Sequence, residues 1–508
     1  MKRRYTYVLI LFLLLTAVRF IRVTSEIPLL IYGDSTIYME LAGSLVKGEG
    51  YRVWLNGLRI PYFFFPPQYP VVIAGIQWLT GISSPVEAAR WISLFSLLVT
   101  LVFIYKTLEL IEINKLIIFI FLFLYVNSWI YPLYYIVLSE HLFLMFLSIQ
   151  LYFLTHWIKY RRRRDLLIMG VLSAFLFLTR YAALGIMAPL ALVIFLLSRK
   201  NRWRNTLIYL APAVLAMVVW HGLASVHTDG FYGRRPGWHP PGTEHLRSLF
   251  ITAVNWFTPG LTRLLFIPLV VLLLYIFIFR RRISLRRLIE GGTLYPVVLG
   301  FLAFSYLLFI LLTITFFDYT TPLDNRMLAP FYMFGMVIFA WLIRYGMPYK
   351  WQWPVLAILL LSHAVYGYRD TSQRLRHQLV WRHITSPGLK EFVRHSGTKI
   401  YSNAKDIIHP VTSDYRYLYD LPCRYDRMSL EPSPEYRSRL AEIRREIERG
   451  EASVIFFDDL SQRDFEVPKS ELLEIFQGLP MYEIPENRTI IFSRIYPLAN
   501  HETGAKIP

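Results

Sequence analysis

The sequence has few of the charged residues that a soluble protein carries. They make up 18% of its 508 residues, against a hydrophobic fraction of 55%, and this balance excludes an ordinary soluble domain. A single cysteine, Cys423, excludes an internal disulfide and any cysteine-rich metal site, and it leaves the redox compartment open. No small-residue cleavage site follows the first apolar run, so we interpret residues 5–23 as a retained helix and not as a signal peptide.

Acidic residues are scarcer than basic ones, 35 against 54, and the formal net charge is +19. In a soluble chain this excess would indicate a nucleic-acid partner. Here the basic residues gather in short clusters between long apolar runs, which is the pattern of cytoplasmic loops. We therefore predict an α-helical polytopic membrane protein that contacts membrane lipids and binds no nucleic acid.

Apolar runs of suitable length predict about eleven transmembrane helices. They lie at about residues 5–23, 88–110, 115–133, 138–158, 165–180, 182–198, 204–224, 262–280, 292–316, 327–345 and 352–368. The run at 71–79 is too short to cross and follows three prolines, so we expect a helix docked at the outer surface. These spans form a transmembrane domain at 1–368 with a first outward loop at 24–87, and strand and helix patterns beyond it predict a small α/β domain at 369–508.

The positions of lysine and arginine orient these spans. Basic clusters at 2–4, 159–164, 199–204 and 280–287 fall on one side of the membrane, which their charge assigns to the cytoplasm. We therefore expect the N-terminus inside the cytoplasmic membrane, with the first loop and the C-terminal domain outside it.

A lone carboxylate, Asp34, follows the first span in the segment GDSTIYMELAGSL. Its neighbours suit a helix N-terminus, so we expect Asp34 just ahead of a short helix that runs through Ile37, Leu41 and Leu45 along the bilayer surface. Two interpretations stay open from these residues alone. Asp34 either caps this helix or takes part in chemistry.

Few other charged residues lie near the outer ends of spans. They are Glu140, which has His141 beside it, Arg180, Asp324 and Arg326. Charges at this depth usually mark a functional site. The structural alternatives are an acid stabilised by the helix dipole for Glu140 and a snorkelling side chain for Arg180.

The carboxylates of Asp34 and Glu140 and the guanidiniums of Arg180 and Arg326 are predicted at the outer interface of the membrane. This set suits a reaction between a membrane-bound anionic donor and an acceptor from outside. Arginine binds phosphate through paired hydrogen bonds. A carboxylate either removes the acceptor proton or holds a divalent metal ion, so Asp34 and Glu140 are candidate catalytic groups and candidate metal ligands. His239 and His245, in an irregular loop, are weaker candidates for a metal because their spacing fits no compact site. Candidate sugar or acceptor contacts are Tyr38, Tyr51, Tyr69, His141 and Asp324.

A resemblance becomes specific when several motifs are taken in order. The segments are GDSTIYMELAGSL, FPPQYPVVIAGIQWLTG, AARWISL, LSEHLFLMF and LTRYAALG. As an ordered set over roughly the first 200 residues, they resemble polytopic glycosyltransferases of the C-type fold, including protein O-mannosyltransferases of glycosyltransferase family 39 and the aminoarabinose transferases. The WWD-type signature of oligosaccharyltransferases is missing, and so is the lysine that some relatives place before the proline motif.

The resemblance implies transfer of a sugar from a polyprenyl-phosphate carrier on the outer face of the membrane. It implies catalytic roles for Asp34 and Glu140 and a contact to the lipid-linked phosphate for Arg180, and we assign Tyr181 and Arg326 to the same donor site. We expect a hexosyl- or pentosyltransferase of cell-envelope glycosylation, and the acceptor stays open among glycans, lipids and proteins.

Two other classes of function compete with an enzyme. One is a transporter or flippase that moves a lipid-linked saccharide without bond chemistry, and the other is an inactive relative that acts as a scaffold. A transporter is expected to carry charged or broken helices near the midplane and a repeated topology. The candidate polar groups lie at the outer ends instead, and the two halves of the sequence do not resemble each other, which favours the enzyme.

Overall fold

The computed structural model describes residues 2–26, 29–31, 33–198, 200–228, 236–257, 259, 294–319, 321–376, 386–408, 415–425, 432–458, 466–484 and 488–494. The predicted span at 262–280 and the basic cluster at 280–287 lie outside the described residues. Contacts divide the chain into two compact units. One comprises Met1–Leu29 with Phe63–Arg376, and the other comprises Leu30–Tyr62 with His377–Pro508.

Helices dominate the first unit and alternate with strands in the second. In chain order the α-helices are α1 (Lys2–Glu26), α2 (Gly33–Val46), α3 (Gln68–Thr80), α4 (Pro85–Leu110), α5 (Lys115–Val126), α6 (Glu140–Tyr160), α7 (Arg163–Thr179), α8 (Leu184–Leu197), α9 (Arg202–Ser225), α10 (Thr243–Phe257), α11 (Leu294–Phe316), α12 (Ala329–Trp341), α13 (Tyr349–Arg376), α14 (Pro387–His395), α15 (Lys405–Ile408), α16 (Tyr436–Glu448) and α17 (Lys469–Ile475). Short 3-10 helices occupy Tyr131–Tyr135, Tyr181–Ala183 and Tyr415–Tyr417, and a π-helical turn at Leu342–Gly346 extends α12.

The strands are β1 (Arg52–Leu55), β2 (Leu58–Pro61), β3 (Lys399–Ser402), β4 (Leu418–Asp420), β5 (Ala452–Phe457), β6 (Met481–Ile484) and β7 (Thr489–Phe492). All of them belong to the second unit.

Six helices among the described residues are long and apolar enough to cross a membrane. They are α1, α4, α6, α9, α11 and α12 with its π-helical extension. Two shorter apolar helices are α5 and the segment Tyr181–Leu197. The multi-pass helical architecture is confirmed, whereas the number of eleven spans stays a prediction.

The segment after the first loop shows how local sequence sets the helix boundaries. α3 follows Pro67 and ends where Gly81 adopts a left-handed φ of +73°. The helix α4 then begins at once, because the Ser84 side chain accepts a hydrogen bond from the Glu87 N–H and Pro85 occupies the first helical turn. With 13 residues, α3 is shorter than a span, in agreement with its expected place outside the set of crossing helices.

The second unit is built around a five-stranded sheet with the strand order β4-β3-β5-β7-β6. β3 pairs in parallel with β4 and with β5, and β7 pairs antiparallel with β5 and with β6. Every residue of β5 is buried, as expected for a central strand covered on both faces. One apolar cluster joins α16 and α17 to the sheet, and a second joins α14 to it.

The antiparallel hairpin β1–β2 and helix α2 also belong to this second unit. The predicted boundary at residue 368 assigns residues 30–62 to the transmembrane domain. By contacts, these residues instead lie in the unit that contains the C-terminal sheet. No sequence signal of the first loop indicates this partner, because the residues that it contacts lie more than three hundred positions away in the chain.

Candidate functional site

Arg180 lies at a break between two helical segments of the first unit. Helix α7 ends at Thr179, Arg180 is extended with φ −154° and ψ 133°, and the chain resumes as a 3-10 turn at Tyr181–Ala183. From this break, Arg180 Nη1 lies 2.6 Å from Glu140 Oε1 and donates to Ser139 Oγ at 3.4 Å. The same guanidinium lies 3.3 Å from Met327 Sδ through Nη2. The broken helix therefore turns a cation toward the first residue of α6.

Glu140 is the common partner of two arginines. Its side chain is 2% exposed, and Oε1 accepts from Arg326 Nε as well as pairing with Arg180. Its second oxygen, Oε2, has no hydrogen-bond partner among the described residues. A buried carboxylate of this kind is stable only when cations compensate its charge. Glu140 is thus held by Arg180 and Arg326 from two different parts of the chain.

The segment that carries Arg326 is fixed by the side chain of Asp324. Asp324 Oδ1 accepts from the N–H of Arg326 at 3.0 Å and from the N–H of Met327 at 3.1 Å. Burial raises the pKa of Asp324 above its usual range, although the hydrogen bond from Met327 acts in the opposite direction. This geometry caps the turn that precedes α12, so the structure gives Asp324 a local backbone role.

Side chains of helices α10 and α11 also hold the segment that carries Arg326. Tyr306 Oη donates to the Met327 carbonyl oxygen at 2.8 Å, and Trp256 Nε1 donates to Asn325 Oδ1 at 2.7 Å. These anchors were not predicted from the sequence. A tyrosine or tryptophan in an apolar helix carries no signal that distinguishes an anchor from ordinary packing. Together they fix the backbone from which Arg326 reaches Glu140.

The cluster formed by Glu140, Arg180 and Arg326 has an excess of one positive charge, because two guanidiniums face one carboxylate. The carboxylate is 2% exposed, while the side chains of Arg180 and Arg326 are 14% and 29% exposed. The cations are therefore the accessible part of the cluster. Such an arrangement suits a phosphate group, which guanidinium binds through paired hydrogen bonds. We call these three residues the arginine pair cluster.

His141 and Tyr69 lie inside the protein. Both are 0% exposed, and His141 Nε2 lies 3.3 Å from Tyr69 Oη and 3.0 Å from Ser93 Oγ. The imidazole ring also packs against Tyr134, and its Nδ1 has no hydrogen-bond partner among the described residues. The expected sugar or acceptor contact does not suit either side chain, because both face neighbouring helices and not an accessible surface.

Tyr181 connects three segments of the first unit. Its hydroxyl donates to the Phe63 carbonyl oxygen at 2.8 Å and accepts from Trp220 Nε1 at 2.8 Å. The Phe63 ring also packs on Trp220, with ring centroids 5.0 Å apart. The predicted donor contact of Tyr181 stays a prediction, and the hydrogen bonds of its hydroxyl assign it a part in fixing the turn beside Arg180.

Asp34 lies in the first turn of α2, in the second unit. The helix begins at Gly33, so Asp34 is inside it and not ahead of it as expected. The predicted apolar face is also more enclosed than a helix lying on a bilayer, since Leu41 is 0% exposed. Tyr38 is buried at 2% exposure and Tyr51 is half-buried. The catalytic role of Asp34 and the contacts of the two tyrosines stay predictions.

Several donor atoms of the candidate metal ligands already have partners within the protein. His245 Nε2 lies 2.9 Å from the Tyr319 carbonyl oxygen, and its Nδ1 accepts from the Gly242 N–H at 3.2 Å, so both ring nitrogens are engaged. His239 packs edge-on against Tyr319. Glu140 shares its Oε1 with two guanidiniums, whose charge opposes a cation at the same place. Within the described ranges no group of three or more His, Cys, Asp or Glu side chains is placed to hold a metal ion. The hydrogen bonds of His245 and the two arginines at Glu140 oppose metal binding by those side chains, whereas metal ligation by Asp34 and His239 stays a prediction.

The first unit contains the part of the sequence that matches a known protein family. The sequence profile of the dolichyl-phosphate-mannose-protein mannosyltransferase family matches residues 65–223. A search of curated protein sequences finds no match.

Solved structures give broader coverage. ArnT from Cupriavidus metallidurans bound to undecaprenyl phosphate is similar at 12% identity and a TM-score of 0.59, over 98% of this chain and 100% of that one. The apo state of the same protein gives 12% identity and a TM-score of 0.62, over 96% and 98% of the two chains. The arabinofuranosyltransferase AftD from Mycobacteria gives 14% identity and a TM-score of 0.54, over 95% of this chain and 40% of that one. The resemblance predicted from the ordered motifs is confirmed, and at these identities the likeness is one of fold.

Proposed function

We propose that this multi-pass protein, whose fold is that of the C-type glycosyltransferases, transfers a sugar from a polyprenyl-phosphate carrier to an acceptor on the outer face of the cytoplasmic membrane. The observation that carries the proposal is the arginine pair cluster. It presents two partly exposed guanidiniums around one buried carboxylate in a helical membrane unit. The similar structure of ArnT with undecaprenyl phosphate supports a lipid-phosphate ligand for this fold.

Each member of the cluster has a separate role in this proposal. Arg180 and Arg326 bind the phosphate of the donor, and they stay charged in any environment. Glu140 positions the two guanidiniums and limits their mutual repulsion. Because its carboxylate is 2% exposed and engaged by both arginines, we assign it this positioning role in place of the predicted catalytic one.

Asp34 is the proposed general base, on the strength of the resemblance in the segment GDSTIYMELAGSL. In the reaction, the acceptor oxygen forms a bond to the anomeric carbon of the sugar, and its proton passes to the Asp34 carboxylate. The bond between that carbon and the phosphate oxygen breaks, and its electron pair stays on the phosphate. The guanidiniums of Arg180 and Arg326 stabilise this growing negative charge.

The donor sugar is a hexose or a pentose, and the acceptor is a glycan, a lipid or a protein. The outer-face location rests on the basic clusters of the sequence, which orient the C-terminal domain away from the cytoplasm. A transporter of the same lipid-linked saccharide is the alternative. It is not favoured, because the fold is shared with proteins named as transferases. Both alternatives require the phosphate site, so binding and chemistry need separate tests.

The binding test uses purified protein and polyprenyl phosphate in detergent micelles. We expect Arg180→Ala and Arg326→Ala to bind the lipid about 10- to 150-fold more weakly than wild type, the effect of losing one charged hydrogen bond of about 1.5–3 kcal/mol. Arg247→Ala is the control, since Arg247 is an exposed arginine of α10 in the same unit. Affinities of both cluster variants equal to that of the control would contradict the phosphate site.

The chemical test measures release of polyprenyl phosphate from a panel of hexosyl and pentosyl donors, with acceptors from cell-envelope extracts. We expect wild type to release the carrier and Asp34→Asn to be slower by about a hundredfold to ten-thousandfold, the range for loss of a positioned base. Asparagine has nearly the same size as aspartate and keeps one oxygen acceptor, so we expect α2 to be retained. Binding without any release of the carrier by wild type would instead support the transporter.

A further inference from the structure

The second unit contains a tight turn that joins the first loop to the C-terminal sheet. Strands β1 and β2 pair with Leu55 opposite Leu58, which leaves Asn56 and Gly57 as a two-residue turn. Both turn residues are left-handed, with φ of +48° and +75°. This is the conformation of the two-residue hairpin turn that Asn-Gly sequences favour.

Gly57 lies directly against Tyr419 of strand β4. A Cβ atom at Gly57 would overlap the Tyr419 hydroxyl oxygen, and it would lie 3.0 Å from Tyr419 Cζ and 3.5 Å from the Arg416 carbonyl oxygen. The neighbouring Asp420 N–H points to Asn56 Oδ1 at 3.5 Å. The absence of a side chain at position 57 is therefore what allows the turn to approach the sheet.

Tyr419 is itself held firmly within the C-terminal domain. Its ring packs on Tyr401 with centroids 5.1 Å apart, and Lys399 Nζ lies 5.9 Å from its ring centroid. Glu446 of α16 fixes both neighbours, because it accepts from Tyr401 Oη at 2.9 Å and from Lys399 Nζ at 2.6 Å. The turn thus contacts a fixed surface and not a mobile side chain.

The other end of the hairpin is bonded to helix α2. The N–H of Trp54 donates to Glu40 Oε1, and Ser44 Oγ donates to the Gly50 carbonyl oxygen at 2.7 Å. Arg59 Nη2 donates to Ser44 Oγ at 3.0 Å. A continuous set of contacts therefore runs from the C-terminal sheet through the Asn-Gly turn to the helix that contains Asp34.

We infer that the C-terminal domain positions α2 through the contact of Gly57 with Tyr419, so that these two are positioning residues for Asp34. The part concerning Asp34 rests on the proposed function, while the contact itself does not. A glycine that only served a tight turn would need its left-handed φ but no neighbour at this distance. At Gly57 a side chain is also excluded by Tyr419, because a Cβ atom would overlap the tyrosine hydroxyl.

The first experiment separates backbone strain from the contact with Tyr419. Gly57→Ala places a side chain at a left-handed φ and also against Tyr419. Gly48→Ala places one at a left-handed φ of +70° as well, but no atom lies within 4 Å of the added Cβ atom. In full-length protein, we expect hydrogen exchange of the α2 amides to be about tenfold faster in Gly57→Ala than in Gly48→Ala, because α2 loses its anchor. Equal exchange of α2 in the two variants would overturn the inference.

A second variant removes the partner and leaves the glycine intact. Tyr419→Ala is expected to accelerate exchange of α2 as Gly57→Ala does, and the double variant is expected to add nothing further, because both changes act on one contact. Effects of the two changes on α2 that simply add would contradict a shared contact. These measurements need no sugar donor, so they give a result even if the chain transfers no sugar.

Turnover then tests the link to Asp34. We expect Gly57→Ala to lower kcat about tenfold relative to Gly48→Ala, with polyprenyl-phosphate affinity unchanged because the arginine pair cluster belongs to the other unit. Unchanged kcat beside accelerated exchange of α2 would overturn the positioning role. Failure of the proposed function would appear separately, as full activity of Asp34→Asn.

Discussion

Glu140→Gln is the substitution that best separates a positioning carboxylate from a catalytic one. Glutamine is nearly the same size and keeps one carbonyl oxygen to accept a hydrogen bond, but it carries no charge. Arg180 and Arg326 both engage the Oε1 atom of Glu140, which is 2% exposed. The variant therefore removes the buried carboxylate that faces both guanidiniums, and it adds an amide N–H donor that neither arginine can accept.

The expected cost follows from the geometry. Arg180 Nη1 lies 2.6 Å from Glu140 Oε1, and two charges centred about 4 Å apart attract by about 4 kcal/mol at an effective dielectric constant of about 20. Desolvation offsets much of this attraction, and removal of one partner of a buried ion pair typically costs about 3–5 kcal/mol. We therefore expect Glu140→Gln to lower the free energy of unfolding by about 3–5 kcal/mol.

Thermal unfolding of purified protein in detergent measures this change. Glu112→Gln is the control, because Glu112 pairs with Lys159 at 2.9 Å where both side chains are exposed, and such pairs contribute about 0–1 kcal/mol. The double variant Glu140→Gln with Arg326→Gln leaves a single guanidinium, so we expect it to regain part of the lost stability. A Glu140→Gln protein as stable as the control, with turnover reduced about a hundredfold or more, would refute the positioning role and restore the catalytic one.

Three further predictions concern neighbouring features. Arg180→Lys keeps the charge but loses the planar fork, so we expect weaker polyprenyl-phosphate binding than the retained charge implies, measured on purified protein; affinity equal to wild type would remove Arg180 from the phosphate site. In a Cys423→Ser background, a reagent that cannot cross membranes should label Leu58→Cys in intact cells and leave Arg162→Cys unlabelled, and the reverse pattern would invert the topology. Because the pKa of Asp324 is raised, the folded state keeps its proton where the unfolded chain has lost it, so stability falls as pH rises just above the ordinary value of about 3.9. Asp324→Asn should abolish that dependence in thermal unfolding curves, and an unchanged curve would contradict the assignment.

Much of the architecture follows from the sequence because a membrane allows few solutions. Backbone groups in lipid must be satisfied within helices, so long apolar runs predict spans, and α1, α4, α6, α9, α11 and α12 lie where such runs occur. The cost of burying charge likewise singled out Glu140, Arg180 and Arg326, which the structure brings together. Both rules depend on local composition and need no knowledge of partners.

Contacts between residues that lie far apart in the sequence could not be predicted. Glu140 and Arg326 are separated by 186 positions, and no local pattern indicates that one carboxylate oxygen engages two arginines. The predicted sugar or acceptor contact of Asp324 stays a prediction, and the sequence did not indicate that its carboxylate caps the turn two residues before Arg326. The Asn-Gly turn is a clear hairpin signal, yet its contact with Tyr419 depends on the folded sheet.

The positive charge of the arginine pair cluster suits a reaction in which the phosphate group becomes more negative when the donor releases its sugar. A sugar linked to a polyprenyl phosphate is a phosphodiester with one negative charge, which the single excess positive charge of the cluster balances. When the bond to the sugar breaks, the phosphate becomes a monoester whose second ionisation, with a pKa of about 6, adds further negative charge. In the proposed reaction, the guanidiniums of Arg180 and Arg326 would therefore interact more strongly with the departing phosphate than with the bound donor. Interactions that strengthen along the reaction path are the ones that accelerate it, so a carboxylate that holds two arginines in place contributes to the rate without exchanging a proton.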